Sequence, residues 1–397
     1  MNKKLLIGIM IIIVLAGIGG YHLLTEKPEG TIKIVTSFPM RTITVGQSIV
    51  NGIKLALEEQ NYRIGDYKIE LIVKDDGDET GQWQKNIEEE IAKRAVADPD
   101  VMVYLGTYNS GAAKVSIPIT NKAGLVQISP GNTWPGLTKP GFLPGEPGTF
   151  YPTGVRSYFR VCPIDTLQAP AGAIWANDLR VKNVYVFDDG TESAGFGIAN
   201  LFEEKARELG INVLGRKTLS NENVKEMLGI VKDYNPDLVY YSGITPHGVV
   251  PLTKGLKELG IKFMGVDGIM EQAFIDQAGD AAEGTYVTVV GVPPKELAKL
   301  TSKGKNFVEN YKEKYGIEPE TFSGFGYEAA KVALLAIERV RAKDRAKILE
   351  EVSKIKDYDG LFGKWSFDQN GDTTLTFVSG NIVRNKSFVF EKLLVSE

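Results

Sequence analysis

The stretch with the clearest capacity for chemistry is Val101-Met102-Val103-Tyr104-Leu105 followed by Gly106-Thr107-Tyr108-Asn109-Ser110-Gly111. An apolar β-type run ends in a glycine, a short polar loop follows, and Ser110-Gly111-Ala112-Ala113 opens a helical pattern. The first backbone N–H groups of a helix have no internal partner and sit at the positive end of the helix dipole. A hydroxyl at Ser110 and no side chain at Gly111 make this turn a seat for a small anion such as a carboxylate. An ordinary α/β turn, with Ser110 acting only as N-cap, has the same pattern.

Other groupings of reactive residues carry less. Asp75-Asp76-Gly77-Asp78 lacks the spacing and closing Glu of a calcium loop and reads as a solvated turn. Asp368-Gln369-Asn370-Gly371-Asp372 reads as a hairpin-type turn. Gly195-Phe196-Gly197 is a fragment of a nucleotide loop without its third glycine, and Ser37-Phe38-Pro39-Met40-Arg41 after the first strand is not a dinucleotide fingerprint. His247 follows Pro246 at a helix start and has no partner motif. Neither G-x-S-x-G nor H-E-x-x-H occurs. No enzymatic activity, metal or cofactor is expected. The single cysteine, Cys162, lies in the apolar Phe159-Arg160-Val161-Cys162 and reads as a small buried hydrophobe.

These residues sit in a regular alternation. Strands are predicted at 31–36, 68–74, 101–105 and 126–128, with helices at 45–60, 80–97 and 110–123 between them. A second series starts at Thr166, with strands at 183–187, 212–216, 238–241, 262–264 and 285–290 separated by helices. Helices at 296–315, 324–343 and 345–355 and strands at 364–367, 377–383 and 387–390 follow. Alternation of this kind argues for parallel sheets covered by helices. Between the two series, residues 129–155 are rich in Pro and Gly and read as a surface excursion. Two such series without a flexible linker suggest two lobes with a cleft between them. The length, 397 residues, also suits two domains, and a net charge of −4 without a basic run speaks against nucleic acid as a partner.

At the N-terminus, Lys3 and Lys4 precede an apolar run over residues 5–24. A secretory signal has an apolar segment of about 7–15 residues, and a membrane-spanning helix needs about 20. The run is expected to direct export and to anchor the chain if it is retained. The lysines stay inside the cell and the rest of the chain lies outside.

Taken together, several segments resemble the branched-chain amino acid-binding family, the type I periplasmic solute-binding proteins of ABC importers. They are Gly46 and Asn51-Gly52 before Leu55-Ala56-Leu57, Asp75-Asp76-Gly77-Asp78, Gly106 with Ser110-Gly111, and Ile128-Ser129-Pro130 through Thr133. Phe159-Arg160-Val161, Asn235-Pro236-Asp237, Ala281-Ala282-Glu283-Gly284, Tyr311 to Tyr315 with Pro319, and Phe367-Asp368 with Gly371-Asp372 complete the match. Each is only a turn or a cap; their order and spacing together are specific.

The resemblance implies an α/β protein of two Rossmann-like lobes joined by three crossover strands, behind an N-terminal apolar helix. Residues 1–30 would be the export segment or anchor with its spacer. Residues 31–162 and 291–365 would form the first lobe, and 163–290 and 366–397 the second, with crossovers near Cys162, Val290 and Trp365. The first lobe would hold a ligand carboxylate through Asn109, Ser110 and Gly111 and through Gly131, Asn132 and Thr133. Asp267 on the second lobe would meet the ligand ammonium. Where the family often carries tyrosines over the ligand, this chain has Ser193 or Ala194 and Ile244. Asp267 is one methylene shorter than the glutamate frequent there. The implied partners are a small-molecule ligand, an ABC permease and, through residues 5–24, the membrane. A membrane-tethered sensory ectodomain of the same fold is the alternative function, and a Rossmann-type enzyme is a more distant one.

Overall fold

The computed structural model describes residues 30–41, 44–191, 195 and 197–394. The apolar run at 5–24 and the candidates Ser193 and Ala194 lie outside the described residues. Among the described residues no helix is long and apolar enough to cross a membrane.

The first sheet is built from β1 (Gly30–Phe38), β2 (Arg63–Ile64), β3 (Tyr67–Asp75), β4 (Val101–Gly106), β5 (Val126–Ser129) and β6 (Tyr158–Arg160). Their order is β2-β3-β1-β4-β5-β6, parallel except for the short β2. All residues of β4 are buried, as expected for a central parallel strand covered on both faces. Helices α1 (Val45–Glu58), α2 (Lys85–Ala97) and α3 (Ser110–Lys122) connect these strands. The second series contains α4 (Asp165–Asp178), β7 (Asn183–Asp188), α5 (Ile198–Glu208), β8 (Asn212–Thr218), α6 (Val224–Tyr234), β9 (Leu238–Ser242), α7 (Val249–Leu259), β10 (Lys262–Gly265), α8 (Gln272–Ala278) and β11 (Tyr286–Val290).

After β11 the chain returns to the first sheet as α9 (Pro294–Leu300), α10 (Ser302–Tyr315), α11 (Thr321–Val340) and α12 (Arg345–Ser353), then the hairpin β12 (Tyr358–Gly360) and β13 (Gly363–Trp365). Helix α11 lies tightly on α1. A Cβ on Gly52 would stand 2.1 Å from the Ser323 carbonyl oxygen, and one on Gly326 would stand 2.7 Å from that of Ile49. Only glycine lets the two backbones approach this closely. Finally β14 (Val378–Arg384) and β15 (Ser387–Leu394) add antiparallel strands to the second sheet, whose order is β15-β14-β11-β10-β9-β7-β8.

The chain therefore passes between the sheets over residues 161–164, 291–293 and 374–377. The last passage lies beyond Trp365. Asp372 still bridges to Arg160 of β6, and the Trp365 indole N–H donates to the buried Glu328 of α11 at 2.8 Å. Those two contacts keep residues up to Thr373 with the first sheet.

Several local expectations are corrected. The second helix starts at Lys85 rather than Thr80, because the Asp78 carboxylate accepts from the Thr80 N–H at 2.8 Å and the Thr80 hydroxyl at 2.6 Å. Such local side-chain bonds compete with helix formation. Asp76, in the motif read as a solvated turn, is fully buried. The helix expected over 296–315 breaks at Thr301, whose hydroxyl oxygen caps α10 by accepting from the Gly304 N–H at 2.8 Å. The Pro-rich segment is not a surface excursion throughout: residues 129–138 and Phe150 are buried. Trp134, Leu137 and Phe150 form a small core with Ala113, Ile117 and Tyr158.

Candidate ligand-binding site

The loops after β4 and β5 form one wall of a cleft. Helix α3 begins at Ser110, with Asn109 in the N-cap position and no side-chain cap. Ser110 is therefore the first helical residue and not the cap. Its Oγ accepts from the Trp134 N–H at 3.2 Å, which leaves the hydroxyl proton to donate into the cleft. Gly111 is required by packing, since a Cβ there would stand 2.4 Å from the Trp83 ring. After β5, the Ser129 Oγ accepts from the N–H groups of Gly131 and Asn132 at 3.1 and 2.9 Å and shapes the turn. Gly131 and Thr133 face the same cavity as Ser110.

Asn132 does not serve the cavity through its side chain. Its Nδ2 donates to the Thr107 Oγ1 and the Tyr108 carbonyl at 3.2 and 2.9 Å, and its Oδ1 accepts from the Tyr158 hydroxyl at 3.0 Å. It joins the two seat loops from behind. Below them, the fully buried Arg160 donates through Nε to Asp372 Oδ1 at 2.7 Å and through Nη1 to the carbonyls of Asn132 and Trp134 at 3.0 and 2.7 Å. A planar guanidinium with several fixed donors suits this clamp.

The loops after β9 and β10 form the opposite wall. Asp267 follows β10 at the carboxyl end of the sheet, where open α/β sheets bind ligands. Burial pushes its pKa up to about 6 against the pull of the Gln168 side chain and of nearby backbone N–H groups. The Gln168 Nε2, on α4, donates to Asp267 Oδ1 at 2.7 Å and to the Thr288 carbonyl at 3.0 Å, which fixes the carboxylate. Ile244 lies beside it. The Ile244 N–H donates to Asp189 Oδ2 at 3.3 Å, and the same oxygen meets His247 Nδ1 at 3.1 Å. His247 thus has a partner, a loop aspartate distant in sequence.

Both walls line one cavity of about 30 Å³, with Ser110, Gly131 and Thr133 on one side and Ile244, Asp267 and Gly268 on the other. It opens beside a larger cleft of about 600 Å³ that Asn109, Ser110, Gly111 and Ile244 share with Trp83 and Asp189. Of the residues proposed from sequence, the structure brings together Asn109, Ser110, Gly131, Thr133, Ile244 and Asp267 around the smaller cavity, with Gly111 at the larger. Among the described residues no group of three His, Cys, Asp or Glu side chains is arranged to hold a metal ion.

The model of a family described as periplasmic binding protein matches residues 31–378. The chain belongs to this family. An amino acid binding protein of Pseudomonas aeruginosa is 26% identical over 336 residues, covering 82% of this chain and 83% of that protein. The leucine binding protein LivK of Thermotoga maritima is similar at 30% identity and a TM-score of 0.80, covering 92% of this chain and 99% of that one. The branched-chain amino acid transporter substrate binding protein LivJ of Streptococcus pneumoniae, solved with isoleucine, shares the fold at 23% identity and a TM-score of 0.76, covering 92% and 99%.

Within this periplasmic binding protein, four contributors were missed in the sequence. Trp83 floors the larger cleft from the loop before α2. Tyr108 closes the smaller cavity, its ring 5.2 Å from that of Phe322 on α11. Gln168 orients Asp267, and Arg160 clamps the loop of Asn132 and Trp134. A signal existed for Gln168: Asp165 and Gln168 are three apart at a helix start, a spacing that puts both on one face. Burial holds the Asp165 carboxyl well above its usual range.

Proposed function

We propose that the chain is the extracytoplasmic solute-binding component of an ABC importer and that it captures an α-amino acid or a closely related small carboxylate. The observation that carries this reading is the single cavity lined by neutral hydrogen-bond donors from one sheet and by a buried carboxylate from the other. A zwitterion needs such a pair of walls, with its carboxylate at the start of α3 and its ammonium against Asp267. The names of the relatives support the amino-acid class. In this reading residues up to about 161 and from α9 to Thr373 form the first lobe, and α4 to β11 with β14 and β15 form the second.

A cavity of about 30 Å³ has room for about one or two water molecules, not for an amino acid. Ligand entry therefore requires the walls to part, and capture is their closure around the passages at 161–164, 291–293 and 374–377. Closure presents a joined surface of both lobes to the permease. Residues 5–24 direct export and anchor the chain if retained.

A thermal-shift screen of α-amino acids, their deaminated analogues and small aromatic carboxylates tests the ligand class. A native-state ligand raises the midpoint. At least one α-amino acid is expected to raise it while its deaminated analogue does not. A screen in which only ligands without an amino group act would overturn the amino-acid reading.

A further inference from the structure

Besides Asp267, two further carboxylates, Glu271 and Glu320, stand close enough to the ligand cavity to act on Tyr108, although neither lines it. Glu271 begins α8 on the second wall, four residues after Asp267. It is 6% exposed and makes no side-chain cap; the Thr245 side chain hydrogen-bonds to its carboxyl group, but its Oε2 has no partner. Glu320 stands at the start of α11 on the first lobe. One of its oxygens serves the helix cap and the Thr44 hydroxyl, while the buried Oε2 has no partner. Tyr108 ties these groups to the ligand cavity. It lines that cavity with Asp267, and its ring packs on Phe322, two residues after Glu320. The Thr245 N–H donates to the Gly268 carbonyl at 3.2 Å, which sets the loop carrying Ile244 against the turn that leads to Glu271.

The electrostatics agree with this placement. The charges of Asp267, Glu271 and Glu320 all bear on the Tyr108 hydroxyl and, with burial as the larger cause, push its pKa up. Burial pushes both Glu271 and Glu320 up to about 7, and the charge of Glu320 adds to the push on Glu271 across the lobes. No basic side chain among the described residues acts on Asp267, Glu271 or Glu320. Residues 42–43, 192–194 and 196 contain no Lys, Arg or His. The helix cap and Thr44 account for one oxygen of Glu320, and Thr245 for Glu271 in part; one buried oxygen of each is left over. A buried carboxylate that is only partly satisfied is costly, and a cation supplied from outside reduces the cost.

We propose that Glu271 and Glu320 form a second cation subsite, so that the ligand carries a positively charged side chain besides its α-ammonium: a dibasic amino acid of the lysine, ornithine or arginine class. The proposal rests on the amino-acid reading above and narrows it. The carboxylate takes the Ser110 seat, the α-ammonium takes Asp267, and the side chain runs past Tyr108 toward the glutamate pair. A ligand with an apolar side chain would leave both carboxylates to bind protons instead.

The test is titration calorimetry at pH 8 on the full chain with lysine, ornithine, arginine, leucine and norleucine. Norleucine has the carbon chain of lysine without the ε-ammonium. At least one dibasic ligand is expected to bind about tenfold or more tighter than norleucine. Glu271→Gln and Glu320→Gln should each lower that preference about fivefold or more while leaving norleucine affinity within about twofold. Both replacements are isosteric, and a thermal midpoint without ligand no lower than that of the unmodified chain establishes that they fold. Norleucine or leucine binding as tightly as every dibasic ligand would overturn the proposal and leave the amino-acid reading intact. An unchanged lysine-to-norleucine ratio in both variants would overturn it as well. No binding by any of the five would count against both readings.

Discussion

On the first wall of the cleft, Ser110, Gly131 and Asn132 are held by hydrogen bonds within their own sheet and its loops, and the Arg160–Asp372 pair locks them from behind. On the second wall, Asp267 has Gln168, but the groups around it are left short. Both oxygens of Asp165, the Gln168 Oε1, the Tyr240 hydroxyl, the Thr288 hydroxyl and the Glu271 Oε2 are buried without partners. The two walls of one cavity thus differ in completeness. The wall around Ser110 is built from neutral groups and backbone that already have partners. The wall around Asp267 carries unpartnered carboxylate and amide oxygens, which a cation or protons would satisfy, together with two hydroxyls. Under the amino-acid proposal, affinity for the carboxylate end is a matter of preorganisation, and affinity for the ammonium end is a matter of relieving an electrostatic cost.

That contrast predicts different consequences for damage on each side. The largest effect is expected on stability from the first wall. Asp372→Ala leaves Arg160 charged and fully buried without its carboxylate, and breaking such a pair costs about 3–5 kcal/mol. A urea titration should show the midpoint falling accordingly. A shift near zero would mean that the clamp is not what holds the seat.

On the second wall the effect should fall on binding instead. Asp267→Asn keeps the shape and removes the charge, and it should weaken an α-amino acid by about 2–5 kcal/mol while sparing the deaminated analogue. Equal losses for both ligands would remove the charge-pair assignment. The same residue sets a pH dependence. Its folded-state pKa, about 6, lies above the ordinary 3.8, so the folded state holds the proton longer than the unfolded chain does. Stability without ligand should therefore fall as pH rises from about 3.8 through about 6, and Asp267→Asn should remove that part of the fall. Amino-acid affinity should rise over the upper part of the same window, as the carboxylate ionises. Thermal midpoints and calorimetry across pH 4–8 would reveal either trend.

The smallest effect is expected from Ser110→Ala, about 1–3 kcal/mol of binding, because the remaining backbone N–H groups of the seat survive. Stability should fall as well, by about 1–3 kcal/mol, since the buried Trp134 N–H loses its acceptor. Unchanged affinity would reduce Ser110 to a strut for Trp134.

Much of the fold could be read from the sequence, because strand and helix periodicity are local. The meeting of the Ser110 turn, the loop at 131–133 and Asp267 at one cavity could be read too, since each stands at a strand end where a turn must occur. What could not be read came from pairing between distant segments. Arg160 meets Asp372, Trp83 meets Gly111, His247 meets Asp189, and Glu271 comes within electrostatic reach of Glu320 only after the chain has crossed between the sheets and back. Asp76 shows the converse error: its acidic neighbours suggested water, but the loop that carries it is turned inward beside Glu88, whose charge raises its pKa further. The boundary at Trp365 failed for the same reason, because the turn at 368–372 is held by Arg160, far away in the chain.

The return of β14 to the second sheet has a consequence for how the protein is made. That strand pairs with β11, yet four helices and a hairpin belonging to the other lobe are synthesised between them. Until residues 378–394 emerge, the edge of β11 is bare, and Trp175 lacks the backbone of Gly380, where a Cβ would come within 2.9 Å of the ring. The first lobe waits likewise for α11 to cover α1. Both halves thus wait for the last third of the chain, so the nascent chain stays loose until late. For a polypeptide threaded through a translocation channel before it folds, that delay keeps it passable.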